Sequence, residues 1–489
     1  MSPDNRTAPD TTSPGDQPAL DADPAHRLTV TGLGGAGARL LWGTLTAFHR
    51  LGLVEIDGED DSELYSGTDT TVNVGLFDTD RQTFDRTREH IDDERLATHL
   101  SRHTIAPFQG SGGNPERVDR WFDEHPELGN WIRSHLTATT ELQSDHAIVY
   151  CSLMGGTGSG TIEHVCDVFR DDGWRASDDS REQHVSVVAV APAFRQGDRP
   201  CRQLPGSERE VKTAYVENVI PRLDSLATRV ERETVDNVIL VSNDLLKLQS
   251  FATTADLPFQ ELRALVEPLR SDLDWSPIRR LYRHEDWVQS ATRARANQSL
   301  VRALFPLLLG TLQPPDVALD HGFGWGALDA TGFAQCLADG FVTPGYCFLQ
   351  ESSAVRQLFP SQVHSTEQAT FETALRGATT YSAWTSAAAF CHETVQQALL
   401  FAYGRDEIDR SVCSELEQVV SSELDIDTHD VQSVTIDAER DAWFPNGDTP
   451  EVAVWTYLVF TDPLPPYAMH LTKEERSHLT TEYGIDIER

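Results

Sequence analysis

Short, almost wholly apolar runs alternate along this chain with longer stretches in which apolar residues recur every three or four positions. "LTVTG" (28–32), "LVEID" (53–57), "HAIVYCS" (146–152), "HVSVVAVAPAF" (184–194) and "DNVILVSND" (236–244) read as strands. The residues after Gly37 keep helical spacing, and in "TIEHVCDVFRDDG" one helical face carries Ile162, Val165, Cys166 and Phe169. Strands that are apolar on both faces and alternate with helices predict a parallel sheet covered on both sides. On such a sheet ligands bind beyond the carboxyl ends of the strands, and the glycine-rich loops of this chain all fall at that rim.

Residues 250–285 carry prolines at 258, 268 and 277 that interrupt a helical pattern. From Trp287, "WVQSATRARANQSLVRALFPLLLGTL" predicts a long apolar-faced helix, and "PPDVALDHGFGWGALDATG" a loop. Beyond it, "TSAAAFCHETVQQALLFAYG" (385–404) reads as a helix, and "VQSVTIDA" and "EVAVWTYLVF" as strands of a second α/β unit. The resulting plan is a disordered acidic tail at 1–26 and a nucleotide-type α/β domain at 27–285. A central helix follows at 286–312, a loop and helix at 313–340, a smaller α/β domain at 341–470, and a charged segment, helical or disordered, at 471–489.

Charge changes the picture. Acidic residues number 77 against 40 basic ones, a net charge of −37, and only Lys212, Lys247 and Lys473 are lysines. An even acidic bias with arginine in place of lysine matches adaptation to molar salt, where self-repulsion is screened within a few ångströms. No basic stripe tracks a phosphate backbone, so nucleic acid is not an expected partner. Seven scattered cysteines without a C-x-x-C pair fit a reducing cytoplasm. The first 26 residues lack an apolar core, and no run of eighteen apolar residues follows, so neither a signal peptide nor a membrane span is expected.

Three glycine loops carry the candidate chemistry. "GLGGAG" (32–37) satisfies G-x-G-x-x-G between strand and helix, with Asp57 twenty residues on, the pattern of a dinucleotide site. "GGTGSG" (155–160) is a second strand-to-helix glycine loop, whose successive N–H groups and helix dipole suit phosphate oxygens, with Thr157 and Ser159 as hydroxyl donors. "GSGGNPE" (110–116) opens a helix with Pro115 and Glu116 in its first turn. No lysine precedes Lys212, so Walker A chemistry is excluded, and phosphate charge must meet backbone dipoles, a metal ion or arginine. His99 and His103 fall four apart on a predicted helix and read as a surface pair. Trp121 and Trp131 read as packing residues.

In this order, "GLGGAG", "GSGGNPE", "MGGTGSG" and the strand ending in Asn243-Asp244 resemble the signature of the tubulin/FtsZ superfamily over residues 28–340. The resemblance implies a Rossmann-like parallel-sheet GTPase domain, a long central helix and a smaller C-terminal α/β domain, with GTP and Mg²⁺ as ligands. By position, Gly34, Gly35, Gly37, Gly112, Gly113 and Asn114 would line the phosphates. Gly155, Gly156, Thr157, Gly158, Ser159 and Gly160 would grip them. Asn243 would contact the guanine, and the loop 192–199, with Gln196 and Arg199, would lie along the ribose.

In that superfamily a neighbour completes the active site with carboxylates from the loop after the central helix. Here the loop reads "GALDATGFAQCL": Asp329 matches the first aspartate, while Ala327 and Gly332 replace an asparagine and the second aspartate. Met154 replaces the first glycine of the signature loop, and Arg39 falls where an asparagine is usual. The resemblance thus implies head-to-tail assembly of this chain with itself or a related subunit in the cytoplasm, a membrane adaptor as a possible partner, and GTP hydrolysis weakened or lost through Gly332. Two alternatives stay open: a nucleotide-gated scaffold without turnover, and an NAD-dependent Rossmann oxidoreductase resting on "GLGGAG" and Asp57.

Overall fold

The computed structural model describes residues 26–50, 54–57, 63–66, 70–80, 101–104, 114–136, 146–170, 184–191, 215–242, 340–349, 395–404, 410–436, 452–464 and 471–487, together with single positions such as Ser111, Ala303, Leu304, Leu307 and Leu337. The expected N-terminal tail, Gly112, Gly113, Gln196, Arg199, Asn243, most of the central helix, Asp329 and Gly332 lie outside them.

Among the described residues, twelve strands form one sheet. In chain order they are β1 (His26–Leu33), β2 (Val54–Asp57), β3 (Glu63–Ser66), β4 (Thr70–Asp78), β5 (Ser101–Thr104), β6 (His146–Ser152), β7 (His184–Ala191), β8 (Asn237–Ser242), β9 (Gly340–Leu349), β10 (Val395–Gly404), β11 (Val431–Ile436) and β12 (Val452–Phe460). Across the sheet the order is β11-β10-β12-β9-β8-β7-β6-β1-β4-β3-β2, with β5 also on β4. The pairings from β5 and β4 through β1, β6, β7 and β8 to β9 are parallel. β2 and β3 return antiparallel at one edge, and β12 runs antiparallel between β9 and β10.

The central strands are buried on both faces because helices cover both. Ile148, Val188 and Ile239 face one side, against Leu40, Leu41 and Leu45 of α1 (Gly34–Arg50) and Ala303, Leu304 and Leu307. Val149, Val187 and Leu240 face the other. There they meet α2 (Pro115–Glu124), α3 (Glu127–Leu136), α4 (Gly156–Arg170), α5 (Ile220–Glu231) and α7 (Lys473–Tyr483). The α4 face expected from spacing is the buried one: Ile162, Val165, Cys166 and Phe169 are all inaccessible.

The first core continues without a break into the C-terminal half, where it takes in Val342, Tyr346, Phe401, Trp455 and Tyr457. The Tyr457 hydroxyl donates to the Ala303 carbonyl at 2.7 Å, tying β12 to the central-helix segment. α6 (Arg410–Leu424) packs over the far end through Leu416, Val420 and Leu424.

Two expectations fail. The helix read across 385–404 is a strand over its second half, β10: Ala398–Tyr403 are buried between β11 and β12, and that lateral pairing outweighs a composition that also suits a helix. The helix assigned to His99 and His103 fails too, because Ser101–Thr104 is β5 and His103 pairs with Phe77. The histidine spacing therefore has no helical meaning. Trp121 is buried and Trp131 packs against the same core, as expected of packing residues.

Candidate functional site

The parallel register brings the ends of β4, β1 and β6 level: Leu33 pairs with Phe77, and Gly32 with Tyr150. Each strand therefore delivers its following loop to one rim. Gly34 takes the left-handed conformation (φ +67) that turns β1 directly into α1, and a Cβ there would stand 3.0 Å from the backbone nitrogen of Gly158. At Gly37 a Cβ would fall 2.2 Å from the Tyr150 carbonyl oxygen, so α1 lies on β6 with no room for a methyl. The first and second glycine loops thus touch backbone to backbone.

The third loop joins them through a directed chain of hydrogen bonds. The Ser111 N–H donates to the Thr79 hydroxyl at 3.0 Å, Thr79 and Thr157 hydroxyls lie 2.6 Å apart, and Thr157 donates to Asp78 at 3.1 Å. Because Thr157 spends its proton on the carboxylate, Thr79 is the donor to Thr157, and the chain runs one way from the third loop into an anion. Such chains strengthen cooperatively in a dry setting, and Asp78, Thr79, Ser111 and Thr157 are all buried. Asp78 also accepts the Asp80 N–H at 3.2 Å. Asn114 caps α2, its side chain accepting from the Arg117 N–H at 3.0 Å.

Asp78 and Thr79 escape the glycine-based reading altogether. Their signal is present in "GLFDTD", an apolar strand that ends abruptly in polar residues beside the strand that feeds "GLGGAG". Thr157, expected as a donor to a ligand, instead fastens the loops together. Ser159 keeps that capacity: its hydroxyl is fully buried and has no hydrogen-bond partner. Met154 needs no glycine conformation, and its carbonyl accepts from Asn218 at 3.4 Å. Asn218 lies on a π-helical turn, Tyr215–Val219, that leads into α5.

Electrostatics favour an anion here. In a chain with 77 acidic residues, the first turns of α1 and α4 carry none of their own, so their N-terminal dipoles favour negative charge at the rim, where the Asp78 carboxylate already bonds Thr157. Behind the loops, Arg222 of α5 bonds Asp119 of α2 at 2.6 Å and also Glu163 of α4. Burial works against its charge, but Glu163 and Asp119 hold its pKa above the usual arginine value. The helices carrying the second and third loops are thereby fixed to each other.

The sheet order does not place Asp57 with these loops. β2 lies three strands from β1, roughly 14 Å at ordinary strand spacing, whereas a dinucleotide fold puts its acidic residue on the adjacent strand. Asp57 also pairs with Glu63, next to the Leu64–Val72 pair, and Val72 pairs with Leu28, well below the rim at Leu33.

The residues the structure does bring together are Gly34, Gly35, Gly37, Asn114 and Gly155 to Gly160. No protein-family model matches the chain, and no curated protein matches its sequence. Solved structures do. A GTPγS-form protofilament of TubZ from Bacillus thuringiensis serovar israelensis matches at a TM-score of 0.53 and 14% identity, over 95% of each chain. CetZ from Methanosaeta thermophila matches at 0.50 and 15% identity, over 94% of this chain and 92% of its own. With three glycine loops on one rim of a mostly parallel sheet, and with that likeness along nearly its whole length, this chain has the tubulin/FtsZ-like fold.

Proposed function

We propose that the chain binds GTP with Mg²⁺ at the glycine-loop rim and assembles head-to-tail with a second copy or a related subunit. The observation that carries this reading is the meeting of the glycine loops: the hydrogen-bonded chain from Ser111 to Asp78 ties the third loop to the second beside the end of β4, Gly34 abuts Gly158, and the Ser159 hydroxyl of the second loop is buried and unpartnered. The residues present fit a nucleoside triphosphate. N–H groups at the start of α4 and of α1 would take the phosphates, and Asp80, half-exposed just past β4 with its Oδ1 accepting the Gln82 N–H, would offer a carboxylate to their metal ion. Mg²⁺ would neutralise phosphate charge that this lysine-poor chain leaves to dipoles. The Asn243 contact to guanine and the ribose contacts of Gln196 and Arg199 belong to the same proposal.

Sheet polarity is consistent with completion of the site by a neighbour: β9 starts at Gly340, level with the first residue of β8, so this strand begins at the rim opposite the glycine loops. Stacking one rim on the other is a contact that does not close, and it extends into a filament. The GTPγS-form protofilament of TubZ is a precedent for such a filament on this fold.

The test is GTP turnover per subunit against protein concentration, in multimolar KCl with Mg²⁺. Turnover that rises above a threshold concentration and falls at least tenfold in Asp329→Ala is the expected result. Gly332 favours a second reading, a nucleotide-gated scaffold without hydrolysis: GTP binding with flat, near-zero turnover at every concentration would select it. No binding of GTP would end both.

A further inference from the structure

We propose that α7 and the residues flanking it, 471–487, form a latch that sets the nucleotide affinity of the glycine-loop rim, with Tyr483 as its positioning residue. The inference rests on the reading of that rim as a GTP site.

The segment is built to stop where it does. Thr472 and Glu475 form a reciprocal capping box at its start, and Gly484 ends it in the left-handed conformation (φ +73), so that Ile485 folds back and its N–H donates to the Leu479 carbonyl. Leu471, Leu479 and Ile485 enter the core that also holds Leu153, Val118, Val216 and Val219. Those four belong to the second glycine loop, α2 and the π-helical turn. The segment therefore lies across the two elements that flank the phosphate loops.

Two of its contacts lead to a loop in one step. The Tyr483 hydroxyl donates to Glu116 at 3.1 Å. Glu116 is two residues beyond Asn114, and the adjoining Pro115 sits so close to α4 that a Cβ on Gly160 would lie 2.7 Å from its carbonyl oxygen. On the other side the segment touches the π-helical turn, whose Asn218 holds the Met154 carbonyl. Glu217 of that turn is near enough to act on the Tyr483 phenol. Burial first, then Glu116 and Glu217, push that phenol up to about 12, so it remains a proton donor across the physiological range.

The grip is shallow. Among residues 471–487 only Leu471, Leu479 and Ile485 are buried, and the polar contact to Glu116 is exposed. A segment held by so few groups opens well below the free energy of global unfolding. Undocking it frees α2 and Met154 to shift, and a ligand that needs both in place then binds less tightly. By linkage, the ligand must in turn hold the latch closed by the same factor.

The experiment is amide hydrogen exchange on the full chain with and without GTPγS, joined to GTPγS dissociation rates for Tyr483→Phe, Glu116→Ala and the double variant. Expected are slower exchange at 473–485 as well as at 153–160 on binding, and dissociation about fivefold faster in each single variant and no faster in the double. The thermal midpoint should move little, since a purely structural contact would lower it and leave dissociation alone. Protection at 153–160 with none at 473–485, or unchanged dissociation in Tyr483→Phe, overturns the latch and leaves the GTP site standing. Protection nowhere overturns both.

Discussion

Each rim of the sheet carries a fully buried polar side chain without a hydrogen-bond partner, and their surroundings could hardly differ more. At the carboxyl ends of the strands Ser159 stands in a loop of glycines, at a helix N-terminus without acidic residues, next to Thr157, whose hydrogen bonds tie the second and third glycine loops to the end of β4. At the amino ends Asn237 stands among polar side chains that are mostly paired, His146 keeping only its Nδ1 without a hydrogen bond. His146 meets Ser186 at 2.9 Å, and Asp236 takes Arg170 and the Val185 N–H at 2.5 Å each. One orphan stands in a glycine loop at a helix N-terminus; the other stands beside side chains that are largely paired with one another. The same local debt therefore means a ligand in the first place and a plain loss of stability in the second.

Five substitutions test that contrast. Gly37→Ala should do most damage, about 3 kcal/mol by chemical denaturation, because its methyl group would meet a carbonyl oxygen that belongs to β6 and cannot step aside. A near-neutral result would mean the loops are not packed backbone to backbone. Asp78→Asn should cost about 2 kcal/mol and weaken GTP binding, since the donor chain then ends on a neutral amide in place of an anion. Unchanged binding in titration calorimetry would separate that chain from the ligand site.

The two orphans make a paired test. Ser159→Ala should raise the stability of the nucleotide-free protein by roughly 1 kcal/mol and lower GTP affinity, whereas Asn237→Leu should stabilise by a similar amount and leave affinity unchanged. If both variants lost affinity equally, the two rims would not be distinct. Smallest is the acid response. Burial alone would raise the Asp236 pKa, but His184, Arg170 and the Val185 N–H outweigh it and hold the group below 3.8. A depressed carboxylate contributes its full stability above the unfolded value and loses it as pH falls through the folded one. The midpoint of denaturation should accordingly drop with acid below about 4 in the native chain and less steeply in Asp236→Asn.

What could be read from sequence followed burial. "HAIVYCS", "HVSVVAVA" and "NVILVS" are strands covered on both faces, so each is an unbroken apolar run and each was legible. β4 was not, because Asn73 and Gly75 interrupt its apolar run, and with β4 went Asp78 and Thr79 at its end. β9 contains Pro344, a residue that argues against a central strand, yet it pairs there with Tyr457 of β12. Glycine positions in the site were legible because spacing alone marks them. The hydroxyl chain was not, since it joins residues 78, 79, 111 and 157, which only the register of β1 with β4 and β6 brings level.

The seam between β8 and β9 has a mechanical meaning. Among the described residues, three residue pairs, Asn237 with Gly340 through Ile239 with Val342, join the two halves of the sheet along their backbones. A sheet carries torque across its strands, so any turn of the C-terminal half relative to the glycine loops must be absorbed as shear along this short stitch and as sliding of Tyr457 against Ala303. Because the first core runs unbroken across the same line, from Ile239 to Val342, Tyr346 and Tyr457, the two halves are joined there more by packing than by the backbone ladder.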